Sequence, residues 1–249
     1  MPDKIPSAAL FTGLRPSAAR TSEQVHPGFY DGIFNCYDAA NTFLTLGLHK
    51  RWRRAAARAA LRSRPVRILD VCCGTGELAM ELRRLSRGSA EVTGLDFSEA
   101  MLSKARMKSP GISFLAGKAG RLPFPDAAFD ALTVSFAARN LAAEGAELGS
   151  YFREFLRVLK PGGVFVNLET SRPGNFLIRY AFHLLVRLLT GLVGLLSPGH
   201  KTAYAFLAGT IASFHSPEKL SVIISAAGFS KVEFRPLMFG ALAVHKAVK

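Results

Sequence analysis

A glycine-rich turn framed by acidic residues is the first place in this sequence where residue types and spacing suggest chemistry. The stretch ILDVCCGTGELA covers residues 68 to 79, and in it Asp70 ends an apolar run that Gly74 and Gly76 follow. Asp96 ends the next apolar run in the same way. Because glycines let a backbone approach a ligand that a side chain would block, the turn predicts a small-molecule site between a strand and a helix.

Two classes of ligand match this turn. Gly74, Gly76 and Ala79 satisfy G-x-G-x-x-G/A, which is typical of sites for nicotinamide or flavin dinucleotides. In such sites the helix N-terminus receives a pyrophosphate, whereas Asp70 puts a negative charge beside the loop. That charge favours a cationic ligand such as S-adenosylmethionine, whose ribose diol suits the carboxylate of Asp96. An ordinary tight turn without a ligand is the remaining alternative.

The neighbouring cysteines do not indicate a metal site. Cys72 and Cys73 have no second cysteine pair, and the histidines are scattered along the chain. We therefore expect no metal, and we interpret the two cysteines as small residues packed under the loop. With Cys36 they make three cysteines, which cannot pair completely, so a reducing compartment such as the cytosol is expected.

Short apolar runs alternate with helical stretches through the middle of the chain. The runs are VRILDV, AEVTGLD, ISFLAG, FDALTVSF and GVFVNLE, with helical stretches at 77–86, 98–108 and 147–159. This alternation predicts an α/β fold with a parallel sheet covered on both faces. The sequence KPGG at residues 160–163 is expected to stop one helix and let the next strand begin.

The charge balance predicts an anionic partner. The chain has 32 Lys and Arg against 18 Asp and Glu, a net charge of +14. No acidic residue occurs between Ala39 and Leu69, a segment rich in arginine and alanine, or in residues 170–217. Nucleic acid and a lipid headgroup layer would both bind such a basic surface, and the charge alone does not distinguish between them.

The second acid-free segment contains a very apolar stretch, FLIRYAFHLLVRLLTGLVGLL. Arg179, His183 and Arg187 interrupt it at a spacing of four, and the uninterrupted run over residues 188–196 is too short for a bilayer. We interpret the stretch as a helix that lies on a surface with its basic residues along one side. A buried helix with a solvated stripe and a dimer face are the alternatives.

The composition of the first thirty residues predicts an arm in front of a single domain. Residues 1–30 are rich in Pro, Ser and Ala and lack the apolar core of a secretory signal. Their prolines, with Asp3 and Glu23, also argue against an organellar transit peptide. We expect a flexible arm at 1–30 and one domain at 31–249.

The sequence resembles the ubiquinone/menaquinone biosynthesis C-methyltransferases over residues 32–246. The matching segments are FNCYDAANTFLTLGLHKRWRR, LDVCCGTGELA, GLDFSEAML, LPFPDAAFDALTVSFAARN, RVLKPGGVFVNLETSRP and YAFLAGTI. The glycine motif is common to many methyltransferases, whereas SF-x-x-RN and YD-x-x-N are far more specific to this family.

The resemblance implies a Rossmann-like class I methyltransferase fold, with a seven-stranded, mostly parallel sheet and helices on both faces. A helical cap at 31–64 would precede it, and a helical insertion at 170–215 would follow the fifth strand and cover the substrate side. The implied reaction is methyl transfer from S-adenosylmethionine to the ring of a demethylated isoprenoid quinol, either demethylmenaquinol or a ubiquinol precursor.

The resemblance also assigns cofactor-binding residues. They are Asp70, Cys72, Gly74, Thr75, Gly76, Asp96, Phe97, Lys118, Ala119 and Ser135. Lys118 departs from the family pattern. Where the family has Asp or Asn, then Ala, then Glu, this chain has Lys118, Ala119 and Gly120. The acid or amide accepts a hydrogen bond from the adenine amino group, and lysine has no acceptor. We expect the backbone N–H of Ala119 still to meet the ring.

On the substrate side the resemblance implies Arg139 and Asn140, with Tyr37 facing them and His49 nearby. We expect Arg139 to stabilise the developing phenolate and Asn140 to donate a second hydrogen bond. Tyr37 is the candidate for relaying or accepting the proton, with His49 or Asp38 as alternative bases.

The expected partners are the lipophilic quinol and an anionic membrane surface, which would attach the protein peripherally to the cytoplasmic face. No nucleic acid is expected, and a homodimer is possible. Two other functions stay open: a methyltransferase acting on RNA or another small molecule, and a non-catalytic scaffold of quinone synthesis, which Lys118 favours.

Overall fold

The computed structural model describes residues 37–143, 147–196 and 208–249. Its strands form a seven-stranded sheet in the order β3-β2-β1-β4-β5-β7-β6. The strands are β1 (Arg67–Val71), β2 (Glu91–Asp96), β3 (Ser113–Ala116), β4 (Phe129–Ser135), β5 (Leu159–Thr170), β6 (Ser230–Leu237) and β7 (Leu242–Val248). Strands β1 to β5 pair in parallel, and β7 runs antiparallel to both of its neighbours. The predicted α/β fold and the mostly parallel seven-stranded sheet are confirmed.

The helices cover both faces of this sheet. They are α1 (Tyr37–Leu44), α2 (His49–Leu61), α3 (Glu77–Leu85), α4 (Glu99–Lys108), α5 (Ala138–Ala143), α6 (Leu148–Val158), α7 (Phe176–Leu196) and α8 (Pro217–Ala226), with further helical residues at 208–213. Apolar residues of α2, α3 and α4 pack on one face, and those of α5, α6 and α8 pack on the other.

Because helices cover both faces of the sheet, the sequences of its strands are continuous apolar runs. In β1 the four residues from Ile68 to Val71 are all buried, so no residue alternates toward solvent. Phe152, Phe155 and Phe165 fill one core, where their ring centroids lie 5.4 to 6.0 Å apart. These layers hold the strand ends rigidly, which fixes the loops that follow them.

The strand order determines where a ligand can bind. The chain builds β1, β2 and β3 outward in one direction and then returns to place β4 on the other side of β1. In open parallel sheets, ligands bind at the carboxyl ends of the strands where the order reverses in this way. The loops after β1, β2, β3 and β4 therefore meet at one edge.

One boundary differs from the sequence-based prediction. The KPGG residues at 160–163 lie inside β5, which begins at Leu159 directly after α6 ends at Val158. The pairing of β5 with β4 shifts register between Phe129 and Ala131. Gly162, with a φ of 75°, lets the strand bulge there without ending.

The predicted domain limits stay predictions. Helices α1 and α2 fall within the segment predicted as a helical cap, and α7 falls within the predicted insertion. The predicted arm at residues 1–30 lies outside the described residues.

Candidate functional site

A cleft of about 410 Å³ opens at the carboxyl edge of the sheet. Its size is within the usual range of small-molecule sites, roughly 300 to 1,000 Å³. The loops after β1, β2, β3 and β4 and the start of α5 all contribute to its walls. The lining residues are Cys72, Gly74, Asp96, Phe97, Met101, Gly117, Lys118, Ala119, Gly120, Arg121, Ser135, Phe136, Ala137, Asn140, Leu141 and Tyr151.

The glycine turn lies under this cleft in a conformation that favours glycine. Gly74 and Gly76 have φ values of 54° and 80°, and Gly76 caps the N-terminus of α3. A Cβ on Gly76 would approach the ring of Phe114 to 2.9 Å, whereas one on Gly74 would meet no described atom within 4 Å. Gly74 therefore borders open space in the cleft, as the backbone of a ligand cradle should.

Asp96 connects the turn to the next strand and faces the cleft. Its Oδ2 accepts a hydrogen bond from the backbone N–H of Gly74 at 2.8 Å, and its Oδ1 accepts one from Ser98 at 3.0 Å. Burial raises the pKa of Asp96, although these N–H groups oppose the shift. The backbone N–H of Phe97 is a third donor to Asp96. A carboxylate has about four acceptor positions, so these bonds leave capacity for a hydroxyl of a ribose.

The sequence of the whole chain matches a known family. Residues 18–249 match the model of the ubiE/COQ5 methyltransferase family. The chain belongs to the ubiE/COQ5 methyltransferase family. A demethylmenaquinone methyltransferase of Thermus thermophilus is 43% identical over 215 residues, which cover 84% of this chain and 94% of the relative. The UbiE C-methyltransferase of Desulfotalea psychrophila is 36% identical over 222 residues, 88% of each chain.

Solved structures have the same fold as this methyltransferase. A methyltransferase of Thermotoga maritima, described as a possible histamine N-methyltransferase, matches with a TM-score of 0.60 and 20% identity. The match covers 90% of this chain and all of that one. Human N-acetylserotonin methyltransferase in complex with S-adenosylmethionine matches at 0.55 and 17% identity, over 93% and 65% of the two chains. At these identities the likeness concerns the fold alone.

This methyltransferase uses S-adenosylmethionine, and most of the residues present suit that cofactor. Asp96 offers carboxylate acceptors that would suit the ribose hydroxyls, and Gly74 leaves the space in front of the turn open. Phe97 and Ala119 line the end of the cleft after β2 and β3, where the purine would lie. Lys118 lies at the same end, is exposed, and offers donors only.

Three of the expected cofactor residues, Asp70, Thr75 and Gly76, do not line the cleft. Asp70 is buried and accepts a hydrogen bond from Thr133 Oγ1 at 2.7 Å. Burial raises its pKa to about 7. Thr75 is also buried, and its hydroxyl donates to Asp38 Oδ1 at 2.7 Å. Asp70 and Thr75 therefore hold the turn from below, and neither lines the cleft.

On the substrate side, the structure separates two residues that are neighbours in sequence. Asn140 lines the cleft together with Ser135, the last residue of β4. Arg139 is buried, and its Nη1 donates to Glu169 Oε1 at 2.6 Å and to the carbonyl of Phe136 at 2.9 Å. The guanidinium charge of Arg139 is thus paired with a buried carboxylate and lies outside the cleft lining.

The described side chains of the N-terminal helices do not line the cleft. The side chain of Tyr37 lies outside the described part of the structure. His49 is buried, and its Nδ1 lies 2.7 Å from the hydroxyl of Thr45. Asp38 pairs with Lys108 at 2.7 Å and with the Thr75 hydroxyl, which ties α1 to the glycine turn.

Sequence reasoning missed Glu169, Met101 and Tyr151. Glu169 is 1% exposed and receives the Arg139 ion pair, and its only signal was its position as the last acid before a long acid-free segment. Met101 and Tyr151 line the cleft from α4 and α6. Their helical spacing marks them as core residues, so no pattern in the sequence separated them from other apolar positions.

The described ranges contain no group of three or more His, Cys, Asp or Glu side chains that could hold a metal ion. Cys73 is part-buried, and desolvation raises the pKa of its thiol, whereas Cys72 lines the cleft and has a backbone φ of 55°.

Proposed function

We propose that this methyltransferase methylates a ring carbon of a demethylated isoprenoid quinol, either demethylmenaquinol or a ubiquinol precursor. The observation that carries the proposal is that Asn140 and Ser135 line the same cleft as Asp96. A hydrogen-bonding group for a ring oxygen therefore lies in the same cleft as the carboxylate that suits the ribose. The names of the relatives support a quinol as the acceptor.

The cofactor supplies an electrophilic methyl group on a sulfonium. A quinol ring carbon is a poor nucleophile until the neighbouring hydroxyl loses its proton. The protein must therefore orient the ring, stabilise the phenolate that forms, and exclude water. The apolar lining from Phe136, Ala137 and Leu141 supports the exclusion of water beside Asn140.

Asn140 is the residue we assign to direct contact, with its amide donating to the phenolate oxygen. Arg139 lies outside the cleft lining, so its guanidinium could reach a bound ring only by moving away from its buried position beside Glu169. Removing one partner from a buried ion pair costs about 3 to 5 kcal/mol, which is more than one new hydrogen bond returns. We therefore propose that Arg139 positions Asn140 by anchoring the start of α5 to β5.

For the proton acceptor we retain Tyr37 as the candidate. Burial raises the pKa of Asp38, but the Lys108 ammonium and the Thr75 hydroxyl outweigh it and lower the pKa, which makes Asp38 a weak base. Burial, followed by the charge of Arg53, lowers the pKa of His49, so its imidazole stays neutral at physiological pH and can accept a proton. His49 is therefore the alternative base.

The test is mass spectrometry of the quinones of cells with and without this protein. We expect the quinone made without it to lack one methyl group. Cells that carry only Asn140→Ala should still contain the quinone that lacks the methyl group. The purified variant should nevertheless bind S-adenosylhomocysteine. Asp126→Asn, an exposed change remote from the cleft lining, is the matched control and should restore methylation. An identical quinone profile with and without the protein would exclude the quinol as the acceptor.

We further propose that the protein attaches peripherally to the cytoplasmic face of a membrane, where its substrate would be dissolved. The support is α7, whose side chains Leu177, Tyr180, Leu184, Leu188 and Leu192 are 45% to 71% exposed. By length and composition the segment Phe176–Val193 would also pass as a membrane span, with 11% of it buried. Its interrupting arginines favour a helix lying in the interface.

Basic side chains lie near this apolar face of α7. Arg172, Arg179 and Arg187 lie close enough to His183 to lower its pKa, after the larger effect of burial. Arg51 and Arg58 of α2, Arg62 directly after this helix, and Arg235 of β6 line a second cleft. No carboxylate of the described residues lies within 4 Å of these four side chains. Both surfaces suit an anionic lipid layer, and a second copy of the chain is the alternative partner for α7.

A further inference from the structure

The loop after β3 gives the cleft an end whose side chains donate hydrogen bonds. Lys118 and Arg121 are exposed, line the cleft, and face each other across an isolated β-bridge, with the Arg121 N–H donating to the Lys118 carbonyl at 3.1 Å. Neither side chain has an ion pair or hydrogen bond with the described residues. Among the described lining residues, Asp96 is the one carboxylate, and it is held at the end of β2.

The orientation of the cofactor follows from the chemistry of the two ends. Its methyl group must point to the acceptor, which the proposed function locates beside Asn140 at the end of β4. Its ribose diol suits Asp96 at the end of β2. The strand order β3-β2-β1-β4 then leaves the purine at the end of β3, against Lys118 and Arg121.

The purine of S-adenosylmethionine carries a 6-amino group, which donates hydrogen bonds. Lysine and arginine also donate and have no acceptor, so two donors would meet. Tyr151 is the other polar side chain near this loop. It is 8% exposed, its ring would lie 3.3 Å from a Cβ on Gly120, and it already has an interaction of its own. The described side chains at this end of the cleft therefore offer the amino group no carboxylate or amide acceptor.

We infer that Lys118 makes this end of the cleft a subsite for a purine with an acceptor at C6, and so removes the usual selectivity for a 6-amino purine. A 6-oxo purine would accept a hydrogen bond from the Lys118 ammonium. The inference rests on the proposed function, because it takes the orientation of the cofactor from the position of Asn140.

The inference predicts how tightly the protein binds two compounds that differ in the purine. The probes are S-adenosylhomocysteine and S-inosylhomocysteine, which differ at the purine C6 and N1, and titration calorimetry measures both dissociation constants. We expect the wild-type protein to bind the inosyl compound at least as tightly as the adenosyl compound. Lys118→Asp supplies an acceptor for the amino group and should shift the ratio toward the adenosyl compound by roughly tenfold or more.

Two variants separate Lys118 from a general effect of charge. Lys118→Asn offers an acceptor without negative charge and should also shift the ratio toward the adenosyl compound. Arg153→Gln removes a positive charge from outside the cleft lining and should leave the ratio within about threefold of wild type. Thermal unfolding of each variant verifies that the fold is retained.

The outcomes distinguish the two proposals. Tight binding of the adenosyl compound with strong rejection of the inosyl compound by the wild-type protein would overturn the Lys118 inference and leave the methyltransferase function intact. An unchanged ratio in both Lys118 variants would also overturn it. Failure of the wild-type protein to bind either compound would overturn the assignment of the cleft as the cofactor site, and the inference with it.

Discussion

Asp70 shows how burial changes the part that one side chain plays. At the end of an apolar strand it resembles a ligand-binding acid, yet it lies 1% exposed with its carboxyl against Thr133. Desolvation disfavours its charged form and raises its pKa to about 7. Asp96, at the end of the neighbouring strand, is also buried but borders the cleft.

Asp70 should make stability fall as the pH rises. Its pKa is about 7 in the folded protein against 3.8 for the free side chain, so the folded state binds more protons between these values. Stability is therefore fully present below about pH 4 and is lost progressively as the pH approaches 7, by up to ~4 kcal/mol. Asp70→Asn removes the titration and should flatten this part of the profile.

The measurement is the free energy of unfolding in urea at several pH values for the wild type and Asp70→Asn. The difference between the two proteins isolates Asp70 from the other titrating groups. Asp130→Asn, a change at an acid whose pKa is lowered, is a useful comparison because it should alter the profile only at lower pH. A difference that does not vary between pH 4 and 7 would contradict the assignment.

Two elements position the residues that line the cleft: the turn between β1 and α3, and the start of α5. Gly76 starts α3 with a left-handed backbone, and Phe114 of β3 fills the space beside it. Glu169 of β5 holds Arg139 at the start of α5, so the cleft side of α5 is fixed from the sheet. The positions of these two elements decide which side chains reach the ligand.

Gly76→Ala should damage this arrangement. The substitution forces a Cβ into a backbone with a φ of 80° and to within 2.9 Å of Phe114, which we expect to cost about 1 to 3 kcal/mol. Binding of S-adenosylhomocysteine should weaken because the turn moves. The measurements are thermal unfolding and calorimetry.

Gly111→Ala is the matched control. Gly111 has no positive φ, and a Cβ there meets no described atom within 4 Å. It should retain both stability and cofactor binding. If the two variants behaved alike, the left-handed conformation of Gly76 would not be what holds the turn.

The charge and the exposed apolar surface of α7 concern the molecule as a whole. A net charge of +14 attracts the protein to anionic surfaces at low salt, and an exposed row of leucines adds a contribution that salt does not screen. Together they support the proposed docking on a bilayer.

Flotation with anionic liposomes tests this docking. Leu184→Glu combined with Leu188→Glu puts two charges on the exposed face of α7 and should reduce the bound fraction by at least about tenfold, since each buried leucine contributes about 1.5 to 3 kcal/mol. Val222→Glu, an equally exposed change on α8, should bind as the wild type does. Equal flotation of all three proteins would refute docking through α7, and a wild-type dimer that the double variant abolishes would assign the face to a second copy.

The order of strands and helices and the glycine turn were readable from the sequence, because covered parallel strands are continuously apolar and a tight turn needs glycine. The family was readable from SF-x-x-RN and YD-x-x-N. The residues that the resemblance named include Asp96 and Ser135 at strand ends and Asn140 in α5, and these three line the cleft.

Only the tertiary structure decided which of the named residues face the ligand. Asp70 and Asp96 have the same local pattern, and Arg139 is next to Asn140 in the chain, yet in each pair only one residue lines the cleft. The reason is that burial and pairing depend on residues distant in sequence: Thr133 lies 63 positions from Asp70, and Glu169 lies 30 from Arg139. Local sequence sets what a side chain can do, and the packing of remote strands sets whether it meets the ligand.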